Sequence, residues 1–185
     1  MHKQRVSGSR QLSTLLIALA LVSLLLGTPE IFPSVHAAGL VYVNPPAIAL
    51  QPIGSVFNVQ VQVAGLDPFN GWDIQIQSNP SVVNATSLSI DGNLLAVNDS
   101  IQLFQVANCI NGNSCHASGD GMGVVHSAAF AIGSQLPLGS SDGLLFTITY
   151  KVVGSGTYSS IHVFSAVIAD APNPIPVSVE TQDGT

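Results

Sequence analysis

Residues 38–185 are predicted to fold as an all-β, nine-stranded antiparallel β-sandwich of jelly-roll topology, with a signal-peptide helix ahead of it. Three observations carry this. Apolar and polar residues alternate with a period of two, turn signals separate the alternating runs, and no stretch beyond residue 37 has helical spacing.

The clearest strand is 57–63, where Phe57, Val59, Val61 and Val63 share one face and Asn58, Gln60 and Gln62 the other. Residues 72–77 repeat the pattern, with Trp72, Ile74 and Ile76 facing the core and Asp73, Gln75 and Gln77 facing water. Further β-rich runs cover 40–43, 82–90, 101–107, 123–131, 144–153, 161–168 and 175–179. Between them stand turn formers such as Asp67-Pro68, Asn79-Pro80, Asp91-Gly92, Asp120-Gly121 and Asn173-Pro174. Short strands at this density build a sandwich or jelly roll.

The first 37 residues have another character. Lys3, Arg5 and Arg10 precede an uncharged apolar run over 12–26, and Val35-His36-Ala37 puts compact residues at the −3 and −1 positions of a cleavage site. That is the layout of a secretory signal. The alternative, a membrane anchor, needs about 20 apolar residues to span a bilayer. The expected organisation is therefore a leader over 1–37 and one domain over 38–185, with membrane association only through the leader before cleavage.

The leader takes three of the four Lys+Arg and one of the ten Asp+Glu. What remains is one cation, Lys151, against nine anions: a net charge of −8 over 148 residues. Nucleic acid and anionic membrane surfaces are excluded as partners, because binding them requires clustered Lys and Arg. Charged residues make up 8% of the chain, so amides and hydroxyls must keep the surface soluble.

The two cysteines, Cys109 and Cys115, both fall in the exported part, where an oxidising compartment favours a disulfide between them. Closing so small a loop is worth about 2–2.5 kcal/mol. Adjacent His116 does not complete a tetrahedral metal site.

Several motifs together resemble the cohesin family. Val41-Tyr42-Val43-Asn44-Pro45-Pro46 opens the domain, Gly71-Trp72-Asp73-Ile74-Gln75-Ile76 leads into Asn79-Pro80-Ser81-Val82-Val83, and Gly143-Leu144-Leu145-Phe146-Thr147-Ile148-Thr149-Tyr150-Lys151-Val152 looks like a later cohesin strand. Ala169-Asp170 followed by Ile175-Pro176-Val177 looks like the closing strand pair. The likeness spans about residues 40–181. It differs from the pattern in Asn79, where Asp is usual, and in the insert around Cys109 and Cys115. It implies a nine-stranded jelly roll, similar to family 3 carbohydrate-binding modules, and extracellular adhesion to a dockerin-like protein module or a polysaccharide. It also implies that binding uses the exposed face of the sheet holding Asp73, Gln75 and Gln77.

Nothing in the domain selects an enzyme. There is no Gly-x-Ser-x-Gly elbow, the carboxylates are scattered singly through turns, and His126 and His162 are read as separate strand histidines rather than a metal pair. Asp91, Asn93, Asn98 and Asp99 have oxygen ligands suited to Ca²⁺ but not the spacing of an EF-hand, so turn chemistry is the expected role and no cofactor is expected. Asn84 and Asn98 head glycosylation sequons. The sequence thus points to an extracellular, non-catalytic module that binds protein or carbohydrate in cell-surface or polysaccharide-degrading assemblies. A structural subunit of a surface layer or filament is the alternative, and an extracellular enzyme the third reading.

Overall fold

The structure is a computed structural model; it describes residues 39–49, 51–66, 68–96, 102–113, 119–132, 142–155, 159–169, 176–177 and 179–184. The leader, its helix and the boundary at residue 37 lie outside the described residues, as do Asn98, Asp99, Cys115 and His116.

Two five-stranded sheets form the domain. In chain order the strands are β1 (Gly39–Asn44), β2 (Val56–Ala64), β3 (Gly71–Ser78), β4 (Val83–Ser89), β5 (Gln102–Ile110), β6 (Val124–Ile132), β7 (Gly143–Val152), β8 (Ile161–Ala169), β9 (Pro176–Val177) and β10 (Val179–Gln182). One sheet runs β10-β1-β2-β7-β4 and the other β5-β6-β3-β8-β9. Besides the strands, the described residues contain a single 3₁₀ turn at Leu94–Ala96.

The alternation read in the sequence sets the core. Val59, Val61 and Val63 of β2 are fully buried, and so are Ile74 and Ile76 of β3. Opposite β2, Val41 and Val43 of β1 and Phe146 and Ile148 of β7 continue the apolar layer. Trp72 is 3% exposed, and its indole N–H donates to the hydroxyl of Ser127, itself fully buried, at 3.1 Å. Tyr150 is also buried and stacks on Phe57 at 5.7 Å between ring centroids; burial pushes its phenol up to about 12, against the opposing effect of the Ser78 hydroxyl.

On the outer face of the first sheet the amides bond one another. Tyr42 donates its hydroxyl to Gln62, Gln62 donates to Gln60, and the Thr149 hydroxyl donates to Asn58. Lys151 lies near the end of interior strand β7, with Val56 of β2 on one side and Asn84 of β4 on the other.

The structure departs from the expected strand plan at the C-terminal end. The predicted ninth strand divides in two: β9 pairs with β8, and β10 pairs with β1 in the other sheet. Strand β10 also runs parallel to β1, where wholly antiparallel pairing was expected. No tight hairpin joins β10 to β1, so no turn forces opposite directions on them. A run of alternating residues announces a strand without naming its neighbour.

Candidate functional site: the outer face of the second sheet

Strands β5, β6, β3 and β8 turn one face to the core and the other outward. Residues directly opposite one another share a face, so the register Gly71↔Phe130, Asp73↔Ala128, Gln75↔His126 and Gln77↔Val124 defines the outer row of β3 and β6. On β5, Phe104 opposes Phe130 and Cys109 opposes His126. On β8, Val167 opposes Asp73 and His162 opposes Gln77.

One end of this face is apolar. Phe104 and Phe130 are 43% and 40% exposed and stack at 5.4 Å with their planes 18° apart. Ile132 and Val167 are exposed beside them, and Val106 and Phe164 stand out at irregularities of β5 and β8. Large side chains clustered in the open on a regular sheet mark an interaction surface. Alternation alone does not reveal them, because it assigns only one parity of each strand to the core. The signal was there in 102–110, 124–132 and 161–169, where apolar residues occupy both parities.

The middle of the face is polar and partly covered. Asp120, from the connection between β5 and β6, lies over it with its side chain 1% exposed. The Gln75 amide donates to one Asp120 oxygen at 2.8 Å, and His126 Nδ1 lies 2.9 Å from the other. His126 Nε2 lies 2.8 Å from Asp73, whose carboxylate is 58% exposed. Burial by itself lowers the His126 pKa, but the hydrogen bonds and charges of Asp120 and Asp73 outweigh it and raise the value above 6.5. Gly123 makes the approach to β6 possible. Its φ of 80° suits glycine, and a Cβ there would sit 2.5 Å from the Ser78 carbonyl oxygen.

Of the three residues expected on the exposed face, Asp73 and Gln77 are exposed and Gln75 is not. Gln75 does point outward from the core, as its parity requires, but Asp120 covers it and leaves it 8% exposed. The expectation that it faces water is therefore corrected. A covering segment some 45 residues away leaves no trace in strand alternation.

At the far end of the face, His162 Nδ1 is held 2.8 Å from the Asp183 carboxylate. A depression of about 500 Å³ beside it is lined by Gln77, Ser78, Asn79, Ser159, Ser160 and His162. His126 and His162 flank β3 from opposite sides, each with its own carboxylate partners. No cluster of three metal-ligating side chains occurs among the described residues.

The remaining sequence candidates fall into place locally. Asn93 accepts from the Leu95 amide and donates to the Ile90 carbonyl, and Asp91 accepts from the Ser89 hydroxyl, which is turn chemistry. Asn84 is half-buried on edge strand β4, opposite Lys151. Cys109 is fully buried and is not a free thiol; its expected partner Cys115 is outside the described residues.

The sequence matches no protein-family model and no curated protein. Solved structures do match. A non-cellulosomal cohesin from the hyperthermophilic archaeon Archaeoglobus fulgidus superimposes with a TM-score of 0.55 at 16% identity, over 80% of this chain and 88% of that one. The sixth cohesin of Acetivibrio cellulolyticus scaffoldin B, solved in complex with a Cel5 dockerin, gives 0.53 at 12% identity, over 80% and 96%. The third ScaC cohesin of the same organism, in complex with the ScaB dockerin, gives 0.52 at 18%, over 79% and 95%. The fold is that of cohesin domains.

Proposed function

We propose that this domain is an extracellular, non-catalytic docking module of cohesin type, and that it binds a dockerin-like protein module on the outer face of β5, β6, β3 and β8. The observation that carries the reading is the stacked Phe104–Phe130 pair standing exposed on a regular sheet, with Val167 and Asp73 beside it. Aromatic anchors surrounded by hydrogen-bonding groups are the usual centre of a protein interface. Similar folds solved in complex with dockerins support the same reading. Asp73 and Gln77 belong to the proposed surface, and Gln75 supports it from beneath through Asp120.

The test is a pull-down from the native extracellular fraction with the wild-type domain and with a Phe104→Ser, Phe130→Ser double variant. A partner retained by the first and lost by the second supports the reading. Equal recovery by both moves the site elsewhere.

A second reading, a self-assembling surface subunit, draws on edge strand β5, which has no charged residue from Gln102 to Ile110 to discourage pairing with another copy. Sedimentation separates the two: a docking module stays monomeric at concentrations where a layer subunit assembles.

Export through the leader is part of the proposal. N-terminal sequencing of secreted material is expected to start at Ala38, and a start at Met1 would remove the argument for export. In the same material Cys109 and Cys115 are expected to be bonded to each other. Intact mass should fall about 2 Da below the reduced chain, and reduction should cost at most about 2–3 kcal/mol, since the closed loop is short. Two alkylatable thiols without reduction would refute the bond.

A further inference from the structure

We propose that His126 is a proton-operated clamp on Asp73, so that the docking face offers a held, charge-compensated carboxylate in acid and a released, uncompensated one when His126 is neutral. The consequence for a partner rests on the docking reading above; the clamp itself does not.

The geometry leaves little choice. His126 has carboxylate oxygens at both ring nitrogens, Asp120 at 2.9 Å from Nδ1 and Asp73 at 2.8 Å from Nε2. An imidazolium donates from both nitrogens and satisfies both carboxylates. A neutral imidazole has one N–H and one lone pair, so it can satisfy only one of them, and the other then faces a lone pair.

Exposure decides which contact fails. The Asp120 side chain is 1% exposed and cannot exchange its donor for water, and the Gln75 amide already fixes its orientation. Asp73 is 58% exposed and can be hydrated at once. The remaining proton therefore stays on Nδ1, toward Asp120, and Asp73 lets go. No other described charge competes for the ring. From β3 His126 meets Asp73 and neutral Gln75, from the β5–β6 connection Asp120, and from β5 the non-titrating Cys109, while His162 lies on the far side of β3 with Asp183.

The sign follows from the raised pKa of His126. Its stabilising interaction is fully present below the ordinary histidine value of 6.5 and is lost as pH rises through the raised value. In that window the local charge of the Asp73–His126–Asp120 group changes from −1 to −2. A neutral, apolar partner surface is then favoured on the acid side, and a partner presenting a Lys or Arg donor to Asp73 on the basic side.

The experiment is NMR on the isolated domain, following the His126 ring and the Asp73 side chain from pH 5 to 9. Expected is a His126 midpoint above 6.5. Asp73 should keep one χ1 rotamer below it and average between rotamers above it, in the same step. Asp73→Asn should lower the His126 midpoint while leaving the domain folded, since the exchanged group is mostly in water. An Asp73 rotamer that ignores the His126 step, or a midpoint unchanged by Asp73→Asn, overturns the clamp. Neither result touches the docking reading, because no partner is present. Conversely, a Phe104→Ser, Phe130→Ser variant that still binds while the clamp titrates as described rejects docking alone.

Discussion

Trp72→Ala is expected to destabilise the domain by about 3–5 kcal/mol, a large part of the roughly 5–15 kcal/mol available to a domain of this size. Trp72 is 3% exposed between the sheets, opposite Ala129 of β6 and Ile168 of β8, so both neighbouring strands lose packing. Truncation also leaves the fully buried Ser127 hydroxyl without its indole donor, an added penalty of about 1–3 kcal/mol within that range. Ser127→Ala removes little volume but leaves the buried indole N–H without its acceptor, so it should cost about 1–3 kcal/mol and gauges the polar contribution separately from the packing. Denaturant unfolding is the measurement. A Trp72→Ala protein with the wild-type midpoint that had lost only its capacity to bind would place the ring on the wrong side of the sheet.

The Phe104→Ser, Phe130→Ser variant should do the opposite, keeping stability and losing affinity. Both rings stand on the outer face of the sheet and neither belongs to the buried core, so the core keeps its packing when they are removed. In a complex each would be fully buried, and central aromatic anchors commonly contribute 2 kcal/mol or more on truncation, about 30-fold in Kd each. The pair is in contact, so the combined loss need not equal the product of the two. Isothermal titration with the recovered partner, at low and high salt, reads both the loss and its origin. The loss on removing the rings should itself change little with ionic strength, because the anchors are uncharged.

How much of this was legible depended on where each interaction came from. Strands β1, β2 and β3 are legible nearly to the residue, because each alternates apolar and polar side chains in the sequence. Strands β5, β6 and β8 were placed, but their second apolar face was not understood, and the Phe104–Phe130 pair with it. Alternation shows which residues face the core, and large apolar residues on the outer face break that pattern instead of following it. Asp73, Gln75 and Gln77 were rightly assigned to one row. That Asp120 would cover Gln75 and, with Asp73, bracket His126 depends on a connection crossing the sheet, a fact of tertiary structure with no local signature. The division of the last strand between the sheets was hidden for the same reason.

The position of Lys151 bears on how the domain meets proteases. Beyond residue 37 it is the sole Lys or Arg, hence the sole peptide bond that trypsin-like proteases can recognise. It is the penultimate residue of interior strand β7, which is paired with β2 on one side and edge strand β4 on the other. A protease must draw several residues of extended chain into its cleft, and here that requires the end of β7 to part from both neighbouring strands. Toward that class of enzyme the folded domain offers one bond, next to the end of β7, and cleavage there requires that end of the strand to leave both neighbours. A scarcity of cations is thus also a scarcity of cleavage sites.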